Sequence, residues 1–229
     1  MRIGTSALVL GSLQQQKRLE VIANNIANTS TAGYKRDESH FSDFVSQSTY
    51  THFGQGSVRR TDNPLDVALQ GDGYLRVQSD EGVVYTRAGN LTLDTENTLV
   101  TQEGWPVLGK SGPIQVKNSN VRIDPSGQVF DMEDDQENLV DSLDVAVFPK
   151  ETRLMKAKHG YIKPVKEGNE PLEAENCSVQ QGALEGANFN VVEEMTRMVE
   201  TMRAFEAYQK ASQTQSELDS QLISKVSTP

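Results

Sequence analysis

The sequence contains one cysteine, few aromatic residues and fewer bases than acids. Cys177 is the single cysteine among 229 residues, so no disulfide can form within the chain. Aromatic residues make up 6% and all hydrophobic residues 36% of the chain, which predicts a lean core that gains stability from neighbouring molecules. The formal net charge of -10 disfavours binding to phosphate backbones, so we expect no nucleic-acid partner.

Long apolar runs are also missing. No run reaches the roughly 18 residues that a membrane-spanning helix needs, so we expect no transmembrane segment. The apolar patch at residues 7–10 is too short for the hydrophobic region of a signal peptide. We therefore expect either a cytoplasmic protein or one that is exported without cleavage.

The residue types that carry catalysis or bind cofactors are scattered. His40, His52 and His159 have no metal-ligand spacing with one another or with Cys177. The turn Gly71-Asp72-Gly73 lacks the third glycine or the lysine of a phosphate-binding loop. We therefore predict no metal site, no cofactor, no small-molecule substrate and no enzymatic activity.

Proline and glycine divide the chain into helical ends and a middle rich in turns. Seven of the eight prolines lie from Pro64 to Pro171 and the eighth is the last residue, while the last glycine is Gly186. Apart from this last residue, both ends lack proline and can form helices, whereas the glycines of the middle favour short strands joined by turns.

Apolar residues recur at helical spacing near both ends. At the N-terminus their three- and four-residue steps predict an amphipathic helix over about 5–28. At the C-terminus Val191, Met195, Met198, Met202 and Phe205 follow 4-3-4-3 steps and predict a helix over about 191–223, with Asn190 as its N-cap.

The two predicted helices are suited to pair with each other. Residues 1–36 carry a net charge of +4 and residues 185–225 a net charge of -3, and each apolar stripe must be buried against a partner. Two solvated helix faces are the simpler alternative, since exposed ion pairs contribute only about 0 to 1 kcal/mol. We predict a paired, coiled-coil-like layer of the N- and C-terminal helices.

The predicted architecture is α+β, with a central and mainly antiparallel β domain. We expect four parts: an N-terminal axial helix and turn (1–36), a connecting segment (37–62), a central β-rich domain (63–184) and a C-terminal axial helix (185–229). The acids between Asp131 and Glu137 are interpreted as part of a solvated loop between strands.

Three segments resemble the flagellar basal-body rod protein family. Residues 21–36 read VIANNIANTSTAGYKR, which is similar to the signature of rod and hook proteins. Residues 63–74 (NPLDVALQGDGY) and 85–90 (YTRAGN) resemble the central domain of that family, and 188–208 resembles its C-terminal helix. The connection from Arg36 to Asn63 is short, as in proximal-rod members, whereas distal-rod and hook members carry a longer insertion there.

This resemblance implies a structural role in a bacterial flagellum. The expected function is that of a proximal-rod subunit that polymerises through its terminal helices into a hollow, torque-transmitting shaft. The expected partners are further copies, other rod proteins and the flagellar type III export apparatus. The resemblance also implies a periplasmic location in the basal body, reached without signal cleavage.

The candidate assembly residues lie in the predicted helices and in the turn that follows the first one. Asparagine and glycine in this turn cap the helix end, and we also consider that the turn, anchored by Tyr34, sets the angle between the helices and the central domain. The residues are Leu8, Leu19, Ile22, Asn24, Asn25, Ile26, Asn28, Gly33, Tyr34, Val191, Met195, Met198, Met202 and Phe205.

Other functions remain open at the level of sequence. A distal-rod or hook-type axial protein is the second choice within the family. A secreted adhesive or binding module would use the β-rich middle as its ligand face, and concentration-dependent polymerisation would separate it from a rod subunit. A cell-wall hydrolase would need a carboxylate or metal constellation, which the sequence lacks.

Overall fold

The computed structural model describes residues 2–41, 47–118, 120–133, 136–149, 152–165, 171–174 and 177–226. Two long helices frame the chain: α1 spans Arg2–Ala27 and α2 spans Val191–Val226. Both predicted helices are thus confirmed, and each extends about three residues beyond its predicted range. None of the helices among the described residues combines the length and the apolar character that membrane crossing requires.

Short strands occupy the chain between the helices. In chain order, β1 to β17 span Asp37–Phe41, Gln47–Thr51, Val58–Arg60, Val67–Gln70, Tyr74–Ser79, Gly82–Thr86, Thr92–Leu93, Leu99–Val100, Val121–Ile123, Gln128–Glu133, Gln136–Ser142, Val145–Val147, Leu154–Lys156, Ile162–Pro164, Leu172–Glu173, Ser178–Gln181 and Ala183–Glu185. A 3₁₀ helix, Lys158–Gly160, precedes β14. All strand pairs are antiparallel, which confirms the α+β architecture.

The chain folds as two compact units. The first, here the helical unit, comprises residues 1–29, 36–52 and 189–229, and the second, the β unit, comprises 30–35 and 53–188. The four-part division expected from the sequence stays a prediction.

In the helical unit, α1 and α2 are antiparallel neighbours. Asn25 near the end of α1 contacts Glu194 near the start of α2, and Gly11 lies against Tyr208, which fixes the opposite directions. The Asn190 side chain accepts a hydrogen bond of 2.9 Å from the Val192 amide, so the predicted N-cap is confirmed. The hairpin of β1 and β2 completes this unit and also contacts α1.

In the β unit, the largest sheet has six strands in the order β13-β14-β6-β5-β12-β15. One face buries aliphatic side chains such as Leu75, Val77 and Val84 in the main core. A smaller cluster contains Tyr74, Tyr85, Ala146 and Ile162. Three two-stranded pairs, β4-β16, β3-β17 and β7-β8, and the three-stranded sheet β11-β10-β9 complete the unit.

The expectation of a solvated loop over the acids between 131 and 137 is wrong for the residues that the structure describes. Asp131 and Glu133 lie in β10 and Glu137 in β11, while Asp134 and Asp135 lie outside the described residues. Asp131 is buried and accepts a hydrogen bond of 3.0 Å from the Lys117 amide, and Glu137 pairs with Arg122 at 2.6 Å. The hydrogen bond of Asp131 and the ion pair of Glu137 give these two acids partners within the strands, so the acidic composition does not prevent strand pairing.

Candidate assembly site

The face of α2 that packs on α1 is partly polar. Glu194, Met198, Thr201, Phe205 and Tyr208 follow 4-3-4-3 steps and are buried or half-buried, as is Ala204 beside them. Only 2% of Glu194 and 5% of Thr201 is exposed. The face that the helix packs on α1 thus combines apolar side chains with a buried carboxylate and a buried hydroxyl.

Asn25 holds the N-terminal end of α2 in the helical unit. It is fully buried, and its Nδ2 donates to Glu194 Oε1 at 2.7 Å and to the Asp37 carbonyl at 2.8 Å. Its Oδ1 accepts a hydrogen bond of 3.0 Å from the Asp37 amide. One amide side chain therefore links α1, α2 and β1, and it provides a partner for the buried Glu194 carboxylate, as a buried charge requires.

The apolar side chains of α2 lie on a different face. Val192, Met195, Val199 and Met202, here the outer stripe, follow 3-4-3 steps and are 45–70% exposed. On α1, Val9 and Leu13 are also exposed large apolar residues. A row of exposed aliphatic side chains along one helix is typical of a protein interaction surface.

A cavity of about 370 Å³ lies in the helical unit among α1, β1 and α2. Its walls carry Arg18, Arg36 and Arg197 together with Glu38 and Glu200. Charges of both signs are thus distributed around one opening. Among the described residues, no three metal-ligating side chains come close enough to hold a metal ion.

A buried ion cluster lies in the β unit around Glu185, which is fully buried. Lys35 Nζ lies 2.6 Å from Glu185 Oε1, and Arg87 Nη1 lies 3.3 Å from Oε2. The Gly56 amide also donates to Oε1 at 2.8 Å, and the Gly54 carbonyl accepts from Lys35 Nζ at 2.8 Å. Burial lowers the pKa of Lys35 from its ordinary value of 10.5, although Glu185 opposes this shift.

The turn after α1 is packed against the same cluster. Gly33 has a φ of +66°, and its amide donates to the Glu185 carbonyl at 2.7 Å. A Cβ at this position would lie 2.4 Å from the backbone of Arg87 and Ala88, so only glycine fits here. Tyr34 is buried, and the Lys156 ammonium lies 4.0 Å from the centroid of its ring.

The structure distributes the fourteen predicted assembly residues over different environments. Ile22, Asn25 and Tyr34 are buried, and Asn24, Met195 and Met202 are exposed. The half-buried residues are Leu8, Leu19, Ile26, Asn28, Gly33, Val191, Met198 and Phe205. The predicted stripe of α2 therefore covers two faces: Met198 and Phe205 face α1, whereas Met195 and Met202 belong to the outer stripe. Their roles in assembly stay a prediction.

The sequence pattern did not predict that four charged residues are buried: Lys35, Arg87, Glu185 and Glu194. Lys35 and Glu185 contributed only to the net charges of the two chain ends. A signal was available for Glu185, since it lies directly before the last glycine of the chain, where a strand ends. The sequence gives no indication, however, that Lys35 and Glu185 are ion-pair partners across 150 residues.

The geometry defines an α+β protein whose two terminal helices pack against each other and carry exposed apolar side chains. Three family models match the chain in sequence order. "Flagella basal body rod protein" matches residues 1–35, "Flagellar hook protein FlgE/F/G D1 domain" matches 68–131, and "Flagellar basal body rod FlgEFG protein C-terminal" matches 180–225.

Curated relatives agree over most of the chain. The flagellar basal-body rod protein FlgF of Mesorhizobium japonicum is 31% identical, over 83% of this chain and 84% of that protein. FlgG of Bacillus subtilis is 28% identical, over 94% of this chain and 96% of that protein. FlgF of Caulobacter vibrioides is 27% identical, over 96% of this chain and 98% of that protein.

The chain belongs to the flagellar basal-body rod protein family. It is a structural subunit of the flagellar rod, and its relatives include proteins of both the FlgF and the FlgG type.

Proposed function

We propose that this chain builds the proximal part of the rod, and that its outer stripe packs against other copies and other rod proteins. The observation that carries the proposal is the division of α2 into two faces. The face on α1 buries Glu194 and Thr201, while Val192, Met195 and Val199 face solvent. Burial of exposed apolar side chains stabilises an interface by about 25 cal/mol per Å² removed from water, so the outer stripe favours association.

The pairing of α1 with α2 supports a coiled-coil-like layer. The buried positions of α2, from Glu194 to Tyr208, keep the 4-3-4-3 spacing that coiled coils use for their contact positions. A layer of this kind presents one face to its partner helix and leaves the other for neighbouring molecules. The role of the protein would then be mechanical rather than catalytic.

A helical rod follows when such contacts do not close on themselves. A heterologous, head-to-tail interface generates an open helical filament when its rotation does not close into a ring. Many subunits would then share the load of torque transmission in a hollow shaft. We further propose export through the type III apparatus without signal cleavage and assembly in the periplasm, as the family resemblance implies.

The proximal position is favoured by the short connection between Arg36 and Asn63. It competes with a distal-rod position, because the FlgG relatives cover as much of the chain as the FlgF relatives do. Electron microscopy of basal bodies from a strain that lacks this chain tests the assignment. A structure that ends below the proximal rod supports it, whereas a complete proximal rod without a distal segment contradicts it.

The outer stripe can be tested by complementation of the same strain. Met195→Asp, Val199→Asp and Met202→Asp should each abolish or strongly reduce motility, while the purified monomer keeps its circular dichroism spectrum because these side chains are exposed. Val83→Asp is the matched control, since Val83 is exposed in the β unit. Normal motility with all three stripe variants would refute a role of this face in assembly.

A further inference from the structure

The chain passes between its two units four times. Each point of passage lies next in the sequence to one of three short segments of the β unit. The passages fall at residues 29–30, 35–36, 52–53 and 188–189. On the β-unit side, Gly33–Lys35, Gly54–Gly56 and Glu185–Asn188 lie next to these passages. Together with Arg87 we call these residues the crossing clamp, and all of them belong to the β unit.

Backbone contacts join the three segments of the crossing clamp. Beside the bond of the Gly33 amide to Glu185, the Asn188 amide donates to the Tyr34 carbonyl at 3.3 Å. The Gly54 carbonyl accepts from Lys35 Nζ at 2.8 Å and from Asn188 Nδ2 at 3.0 Å. The segment that follows α1 in the sequence is therefore fixed to the segment that precedes α2.

The buried charges at the centre of the crossing clamp require that the segments stay together. Lys35 and Glu185 have side-chain exposures of 2% and 0%. Separation of the segments would leave each charge without its partner inside the protein, which is strongly unfavourable. The packing is also close, because a Cβ at Gly56 would lie 2.1 Å from the Gly186 carbonyl oxygen.

We propose that the crossing clamp shortens the loop that must close when α1 pairs with α2. In this way the clamp brings the two distant chain ends together. Along the covalent chain, α1 ends at Ala27 and α2 begins at Val191, so pairing without the clamp closes a loop of about 160 residues. When the bonds of Gly33 to Glu185 and of Tyr34 to Asn188 are formed, the path from the end of α1 through the clamp to the start of α2 contains only about 10 residues.

The size of this effect follows from the entropy of loop closure. The probability of closure falls with loop length to the power of about 1.5, so the shorter path favours helix pairing by about sixtyfold. Folding of the β unit thereby raises the local concentration of one helix near the other. The helix layer should form readily only in chains whose central unit has already folded. The inference does not depend on the rod function.

Two insertion variants test this inference without a change to any clamp residue. In the first, thirty glycine and serine residues are inserted after Ser30, which is exposed. This lengthens the clamped path about fourfold, and the helix amides of the monomer should exchange hydrogen about eightfold faster. In the second, the same thirty residues are inserted between Asp80 and Glu81 at the exposed tip of the β5-β6 hairpin.

The second variant is the matched control, because it leaves the clamped path at about 10 residues and should leave helix exchange unchanged. Without the clamp, both insertions would lengthen the same path of about 160 residues and each would raise helix exchange by only about 1.3-fold. Amides of β5 and β6 outside the hairpin tip report that the β unit stays folded in both variants. Equal exchange rates of α1 and α2 in the two insertion variants would overturn the inference. Helix amides without measurable protection in the parent protein would overturn it as well.

Discussion

The ring of Tyr208 on α2 lies directly against Gly11 on α1. A Cβ added at Gly11 would come within 2.5 Å of Tyr208 Cε1, and Gly11 is itself buried. Glycine inside a helix costs about 1 kcal/mol relative to alanine. At this position the lower helix propensity is offset because the missing side chain allows the two helices to approach closely. The residue that fits at position 11 of α1 therefore depends on the presence of the Tyr208 ring on α2.

Gly11→Leu should weaken the packing of α1 on α2 in spite of its better helix propensity. Overpacking of a filled position costs about 1 to 3 kcal/mol, and this cost should appear as faster hydrogen exchange in both helices. The double variant Gly11→Leu, Tyr208→Ala should recover part of the protection, since the ring is removed. Ala7→Leu is the control on an exposed position of α1, and an equal effect of both single variants would contradict the assignment.

Asn25→Leu should destabilise the first turns of α2. The substitution removes the donor to Glu194 and leaves a buried carboxylate without this bond, at a cost of about 1 to 3 kcal/mol. Amide exchange of residues 194–198 measures the effect. Asn24→Leu provides a neighbouring control, because the Asn24 side chain is exposed. Similar exchange in the two variants would show that the buried amide does not hold the helices.

Glu185→Gln should unfold the β unit at lower denaturant concentration. Lys35 and Arg87 would lose their shared anion inside the protein, and removal of one partner from a buried ion cluster costs about 3 to 5 kcal/mol. Fluorescence of Trp105, which packs in the β unit with its ring 4.8 Å from that of Tyr161, reports the unfolding. Glu137→Gln, at a partly exposed ion pair, should leave the midpoint nearly unchanged. A comparable loss in both variants would argue against a special role of the cluster.

The β1-β2 hairpin should lose stability in acid. A hydrogen bond from His52 lowers the pKa of Glu38 below its ordinary value of 4.5, and Arg36 adds to this effect while burial opposes it. A carboxylate whose folded pKa is lowered stabilises the fold above pH 4.5, and this contribution is lost as the pH falls through the folded pKa.

An NMR titration of the Glu38 carboxyl carbon measures this shift. His52→Ala should move its midpoint up towards 4.5, whereas His40→Ala, at an exposed histidine of β1, should not. An unchanged midpoint in the His52 variant would exclude the hydrogen bond as the cause.

The two helices could be predicted because their signals are local. The 3.6-residue spacing of apolar side chains locates α1 and α2, and the prolines and glycines of the middle indicate short strands joined by turns, without any knowledge of the fold. Asp131 illustrates the limit of composition. It belongs to an acidic stretch that suggests a loop, but its partner is the backbone amide of Lys117, 14 residues away.

The candidate site was less accessible to sequence reasoning, because its contacts join distant residues. Met195 and Glu194 are neighbours in the chain, and hydrophobicity alone assigns the methionine to the buried face. The structure buries Glu194 instead, because Asn25 supplies a hydrogen-bond donor 169 residues away. The pairing of Lys35 with Glu185 is likewise a property of the folded β unit and has no periodic signal.

The outward position of Val192, Met195, Val199 and Met202 has a consequence for the life of a single molecule. Until another protein covers the outer stripe, a free copy exposes these apolar side chains to water and can aggregate with other apolar surfaces. The cell would then benefit from a low concentration of free copies and from rapid capture at the growing end of the structure.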